Sequence, residues 1–347
     1  MTCFVITPDQ SRTLETQLSD VPFPSVDADA PAQLLTRCPR AGQTPLLGSE
    51  TLASQAGVGA VWIKDERARM GLGSFKALGA AYVIACDAQA GTAKGQTYVT
   101  ASAGNHGLSV AAGAAAFQAN AVIYLAQTVP EAFANRLRDI GAQVRRCGET
   151  YEESMAAAAK DADENGWILL SDSSWPGYID RPHRLMEGYT VLMQEAVAQM
   201  DQAPTHIFLQ AGVGGLAAAC AAYARAAWGN APFMTIVEPT AAPALYASIK
   251  TGTVAVTQGP VSDMGRLDCK EPSLIALKGL ARDANACLLI GEDAGHAGSQ
   301  AAVTAGLPST PSGAAGLAGL LAGRDIELLG LDQQSRVLLI LSEDAGT

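Results

Sequence analysis

The chain has 347 residues, 48% hydrophobic and 16% charged, enough for two domains or one large one and too apolar for a disordered protein. A formal charge of −11 with no run of Lys and Arg excludes nucleic acid as a partner. Seven scattered cysteines without a Cys-x-x-Cys pair, and four histidines without ligand spacing, read as reduced thiols in a cytoplasmic protein with no metal site. No signal peptide and no membrane span are expected, because neither a basic leader with a long apolar run nor about 18 consecutive apolar residues occurs.

In chain order, the first forty-odd residues are Pro-rich and predicted irregular. An alternation follows: strand 61–64, helix 75–90, strand 96–100, helix 106–118, strand 121–125 and helix 130–140, with Pro130 in its first turn. It continues with strand 143–146, helix 150–165, strand 167–170, helix 183–200, strand 206–210 and helix 215–228. Strand 233–237, helices near 242–250, 272–283 and 313–322, and a closing strand 336–341 complete the pattern. Apolar strands without alternation, each followed by a helix, predict an α/β protein with mostly parallel sheets covered on both faces.

Three segments carry chemistry. Lys76, in Gly73-Ser74-Phe75-Lys76-Ala77, opens an apolar helical pattern. It is either a lysine whose stem lies on apolar surface with its ammonium in water, or a desolvated amine of lowered pKa that serves as Schiff-base nucleophile or base. Ser102-Ala103-Gly104-Asn105-His106 turns from a strand into a helix. Gly212-Val213-Gly214-Gly215 does the same, and amides at such a helix start cradle phosphate. Taken literally, Gly212-x-Gly214-x-x-Ala217 fits a dinucleotide fingerprint with Glu238 as ribose partner, which would make an NAD-dependent oxidoreductase. That reading leaves Lys76 and the 102–106 loop without a task. A phosphorylated aldehyde, pyridoxal 5′-phosphate (PLP), uses all three at once.

Together these segments resemble those of the fold-type II PLP enzymes, the group of threonine dehydratase, serine racemase and the tryptophan synthase β chain. Within that group the chain is similar to the diaminopropionate ammonia-lyase family. The likeness runs through Arg69–Gly79, Asp172-Ser173-Ser174-Trp175-Pro176-Gly177-Tyr178, Met186–Tyr189, Phe208–Gly214, Val237-Glu238-Pro239, Met264–Pro272 and Leu341-Ser342-Glu343. The resemblance implies two open, twisted, mostly parallel sheets with helices on both faces. A large PLP-binding domain would span 1–84 and 181–347, and a small domain 85–180. It also implies a homodimer and a β-elimination that converts 2,3-diaminopropionate to pyruvate and two ammonia. One departure stands out. The family usually carries an aspartate two residues before the Asn of the loop, and here that place is Ala103. The loop instead has the threonine-dehydratase form, which keeps a serine, threonine or 3-hydroxyaspartate dehydratase as the alternative.

By the same resemblance Lys76 would bind the cofactor aldehyde and move protons. Asp172 would take the Cα proton of an L-substrate or steer the leaving ammonium; alternatively it caps a turn. Ser102, Ala103, Gly104, Asn105 and His106 would bind the substrate carboxylate, with Asn105 also reaching the cofactor. Gly212, Val213, Gly214 and Gly215 would hold the phosphate. Ser342 would hydrogen-bond the pyridine nitrogen, unless it is a surface serine near a frayed end. Phe75 would touch the cofactor or belong to the core.

Overall fold

A computed structural model of the protein describes residues 2–346. The elements of the first part are β1 (Thr2–Val5), α1 (Pro8–Gln17), α2 (Asp29–Leu35), β2 (Leu46–Gly48), α3 (Glu50–Ala56), β3 (Ala60–Asp65) and α4 (Lys76–Gln89). The middle holds β4 (Thr97–Ala101), α5 (Asn105–Ala116), β5 (Asn120–Leu125), α6 (Glu131–Asp139), β6 (Gln143–Arg146), α7 (Tyr151–Asn165), β7 (Ile168–Leu169) and α8 (Asp180–Gln199). The remainder comprises β8 (His206–Gln210), α9 (Gly215–Trp228), β9 (Phe233–Pro239), α10 (Ala244–Thr251), α11 (Leu274–Asp283), β10 (Ala286–Ile290), α12 (Glu292–Thr304), α13 (Ala315–Gly323) and β11 (Arg336–Leu341).

Two sheets form. Seven strands run in the order β1-β10-β9-β8-β11-β3-β2, and four in the order β6-β5-β4-β7. All pairings are parallel except β1 with β10 and β2 with β3, the two edges of the larger sheet. β8 is buried at every residue and β11 at all but the first, as expected of strands with helices on both faces. No helix is long and apolar enough to cross a membrane among the described residues, and all seven cysteines are free thiols.

The Pro-rich start is not irregular. It adds a strand and two helices, and α1 opens with a capping box in which Thr7 and Gln10 satisfy each other's backbone amides. β1 is four half-exposed residues that exist as a strand because β10 offers them an open edge. β10 and α12 are further elements beyond the predicted set. Pro130 is the residue before α6 rather than inside its first turn.

Close packing of α4 on α8 fixes where Lys76 stands. A Cβ on Gly188 would lie 2.5 Å from the Leu78 carbonyl oxygen, so the two helices touch where no side chain intervenes. Tyr189, the next residue, is thereby brought beside the first turn of α4. Its ring meets that of Phe75 edge-on at 4.9 Å.

Candidate active site

The functional segments converge because each follows the carboxyl end of a parallel strand. β4 leads into the 102–104 turn and α5, β7 into Asp172, β8 into the 211–214 turn and α9, and β11 into Ser342. Lys76 comes eleven residues after the end of β3, through a 3-10 turn at Glu66–Gly71. The last strand holds the lysine segment directly: the Phe75 amide donates to the Ser342 carbonyl oxygen at 3.1 Å, and the Asp344 amide to that of Gly73 at 2.9 Å.

Lys76 Nζ donates to Asp172 Oδ2 in a charge-assisted hydrogen bond. The ammonium also lies 5.2 Å from the Phe75 ring centroid and 5.7 Å from that of Tyr189. A depressed lysine pKa is not what the surroundings produce. Burial pulls it down, but the Asp172 carboxylate more than offsets this and holds the ammonium above its ordinary value. Asp172 mirrors it: burial pushes its carboxyl up, and the charge of Lys76 holds it well below the usual carboxylate range. The turn-cap reading of Asp172 is therefore replaced by an ion pair. Tyr178 shapes the turn that presents it, accepting from the Ser171 amide at 3.0 Å and donating to the Leu169 carbonyl oxygen at 2.9 Å.

At the glycine turn, Gly214 has φ +98°, and a Cβ there would meet Leu245 Cδ1 at 2.9 Å. The amides of Gly212, Gly214 and Gly215 donate to no acceptor among the described residues. A phosphate fits such a bare helix start. Glu238 is spent elsewhere and is no ribose partner: it accepts the amides of Leu245 and Tyr246 at 2.9 and 2.6 Å, at the start of α10.

In the other turn, Ser102 Oγ accepts from the Gly104 amide at 3.2 Å, so that pair is satisfied within the loop. Ala103 is half-buried beside it and offers no carboxylate. Asn105 and His106 are buried. Asn105 Nδ2 donates to Glu343 Oε2, while its Oδ1 meets no partner among the described residues. His106 Nε2 donates to the Leu170 carbonyl oxygen at 2.8 Å, which leaves Nδ1 as an acceptor, and burial lowers the imidazole pKa. A neutral, structurally tied ring results. Ser342 is buried rather than exposed near a frayed end, with its amide on the Gly313 carbonyl oxygen at 3.2 Å. Its hydroxyl meets no partner among the described residues.

Four neighbours escape the sequence reading. Tyr189 lies beside Lys76 with its hydroxyl buried. Cys269 sits against the glycine turn, 3.0 Å from where a Gly212 Cβ would be, and burial pushes its thiol up to about 12. Glu343 and Arg266 lie between the two turns. All four fall in segments that carried the family likeness, which was the only signal for them. The unpaired Asn105 Oδ1 and Ser342 hydroxyl, the bare amides of Gly212, Gly214 and Gly215 and the lysine amine are donors and acceptors suited to the groups of PLP.

A protein-family profile described as "Pyridoxal-phosphate dependent enzyme" matches residues 38–343. The diaminopropionate ammonia-lyase of Salmonella typhimurium is 32% identical over 285 residues, 74% of this chain and 70% of that protein. The enzyme of the same name from Escherichia coli K12 is 32% identical over 251 residues, 66% of this chain and 63% of that protein. The solved structure of the E. coli diaminopropionate ammonia lyase with an aminoacrylate-PLP azomethine reaction intermediate superposes with a TM-score of 0.86 at 27% identity, covering 99% of this chain and 94% of that one.

Proposed function

We propose, for a chain that belongs to the pyridoxal-phosphate dependent enzymes, an ammonia-lyase that converts 2,3-diaminopropionate and water to pyruvate and two ammonia. The observation that carries this reading is the Lys76–Asp172 ion pair set between the two bare helix starts. The similarity to the diaminopropionate ammonia-lyases supports the substrate.

PLP, when bound, supplies an electron sink for the negative charge that develops at the substrate Cα. Lys76 holds its aldehyde end, the amides of Gly212, Val213, Gly214 and Gly215 its phosphate, Asn105 its phenolic oxygen, Ser342 its ring nitrogen, and Phe75 and Tyr189 form the apolar floor. A hydroxyl at the ring nitrogen leaves that nitrogen largely uncharged, which favours elimination over transamination. The amides of Ala103, Asn105 and His106 take the substrate carboxylate at the start of α5. Lys76 and Asp172 already stand at hydrogen-bond distance, the lysine as donor and the carboxylate as acceptor. That pair suits the two proton movements of a β-elimination, removal from Cα and delivery to the departing amine.

Residues 85–180 form the small, moving lobe and the rest the large one in this reading, and two copies associate as a cytoplasmic homodimer. The threonine-dehydratase form of the loop, with Ala103, favours a second reading, a hydroxy amino acid dehydratase releasing one ammonia per pyruvate.

The test is the ratio of ammonia to pyruvate formed from L-2,3-diaminopropionate. A ratio near two, with the D form untouched for want of a carboxylate at Ala103, is expected. No pyruvate from it, in a yellow protein that dehydrates serine or 3-hydroxyaspartate, replaces the first reading by the second.

A further inference from the structure

We propose that Arg266 is a carboxylate-binding residue of this site, whose guanidinium takes a carboxylate of the amino-acid substrate over Gly104. The proposal deepens the reading above and rests on the 102–106 turn being the substrate loop.

The backbone of Arg266 belongs to the phosphate side. Its carbonyl oxygen lies 3.1 Å from where a Gly212 Cβ would be, and its amide donates to Ser312 Oγ at 3.1 Å. The side chain crosses to the other sheet. A Cβ on Gly104 would stand 3.1 Å from Cζ, Nε and Nη1, and the guanidinium carbon is 5.5 Å from the Phe133 ring centroid. One residue thus spans from the glycine turn to the first turn of α5, where the free amides are.

Its donors are idle. None of the five guanidinium N–H groups meets an acceptor at hydrogen-bond distance among the described residues. The closest carboxylate, Glu343, stays 3.7 Å from Nε, and its two oxygens are taken by Asn105 Nδ2 and Thr310 Oγ1. Glu343 therefore orients the guanidinium without consuming it. Arginines that brace this fold behave differently. Arg225 donates to the carbonyl oxygens of Asp283, Gly229 and Pro232, and Arg146 to those of Ala126 and Val129. With 32% of its side chain exposed, Arg266 is accessible to a small ligand. A planar fork of charged donors beside free backbone amides matches a carboxylate in two-pronged geometry.

Two sources share that chemistry: the α-carboxylate common to all amino-acid substrates, and the distal carboxylate of a β-substituted aspartate. In the first case the guanidinium also repels a β-ammonium, turning the leaving group away from itself and toward Asp172.

The experiment compares holoenzyme with Arg266→Gln and Arg266→Lys, using retention of the cofactor's visible absorbance as the folding control. Malonate, a non-reacting dicarboxylate, is titrated calorimetrically, and KM and kcat are measured for L-2,3-diaminopropionate, L-serine and 3-hydroxyaspartate. The Gln variant should weaken malonate binding about tenfold or more, raise KM by far more than it lowers kcat, and be partly rescued by Lys. A KM rise for every substrate identifies the α-carboxylate; a rise for 3-hydroxyaspartate alone identifies the distal one. Unchanged malonate binding and KM overturns the proposal. So does a loss of kcat or absorbance in both variants without a KM effect, which marks a structural brace. Because malonate binding needs no turnover, the result stands apart from whether diaminopropionate is the substrate.

Discussion

Lys76 and Asp172 hold each other's charge, so changing one alters both. Asp172→Asn removes the carboxylate that keeps the lysine protonated while leaving the burial that opposes it. Lys76 would then lose its proton more readily and still reach the cofactor. The expected outcome is a kcat about a hundredfold lower or worse, with the visible cofactor absorbance retained. Steady-state kinetics beside a spectrum of the same sample decides it; turnover within a few-fold of the native rate reduces Asp172 to a counter-ion. Ser342 teaches a related lesson. Its place five residues from the end suggests a frayed serine, yet backbone bonds to Phe75 and Gly313 pin it in the site.

Between β3 and α4, the turn that delivers Lys76 is anchored by a buried quartet of charges. Lys64 on β3 and Arg69 in the 3-10 turn both donate to Glu195 of α8, at 2.7 Å each, and Arg69 also pairs with Glu66 at 2.7 Å. Thr44 Oγ1 donates to Glu66 at 2.6 Å. Two cations and two anions balance, so the group is neutral as a whole and intolerant of a missing member. Glu195→Ala leaves Lys64 and Arg69 buried with half their partners. It should cost about 3–5 kcal/mol of stability, seen as a lower denaturant midpoint with an unchanged slope. A loss below about 1 kcal/mol would mean that water reaches the quartet, which fits a surface pair and not this one. The sequence hints at none of this, because the four charges come from residues 64, 66, 69 and 195 and their neutral partner from residue 44.

For the molecule as a whole, Glu238 writes a signature into the pH dependence of stability. Fully buried under α10, its carboxyl is pushed up to about 8 by burial, partly opposed by the amides of Leu245 and Tyr246. The unfolded chain releases that proton near the ordinary value of 4.5. Between these values the folded state holds a proton that the unfolded state has lost, so stability falls as pH rises. The slope is about 1.4 kcal/mol per pH unit and levels off above the folded pKa. Glu238→Gln should remove this contribution, so that the difference between native and variant stabilities changes between about pH 4.5 and 8 and is constant on either side. Parallel curves across the whole range would show Glu238 ionised in the fold.

Apart from β10 and α12, the alternation of strands and helices from residue 60 onward, the mostly parallel sheets and the three turn segments were legible in the sequence, because apolar periodicity and Gly-rich turns are local properties. The N-terminal strand and helices were not. β1 depends on the open edge of β10, nearly the whole chain away, and the Thr7–Gln10 capping box was a local signal within an otherwise Pro-rich stretch. Only the tertiary structure decided the ionisation of Lys76, because burial alone argues for a low pKa and the carboxylate that reverses it lies 96 residues on. It likewise decided the meeting of Arg266 and Glu343 with the Gly104–Asn105 turn, between segments no sequence spacing relates. Local patterns choose the elements, but charges and hydrogen bonds act over a few ångströms, and only the folded chain says which groups are that close.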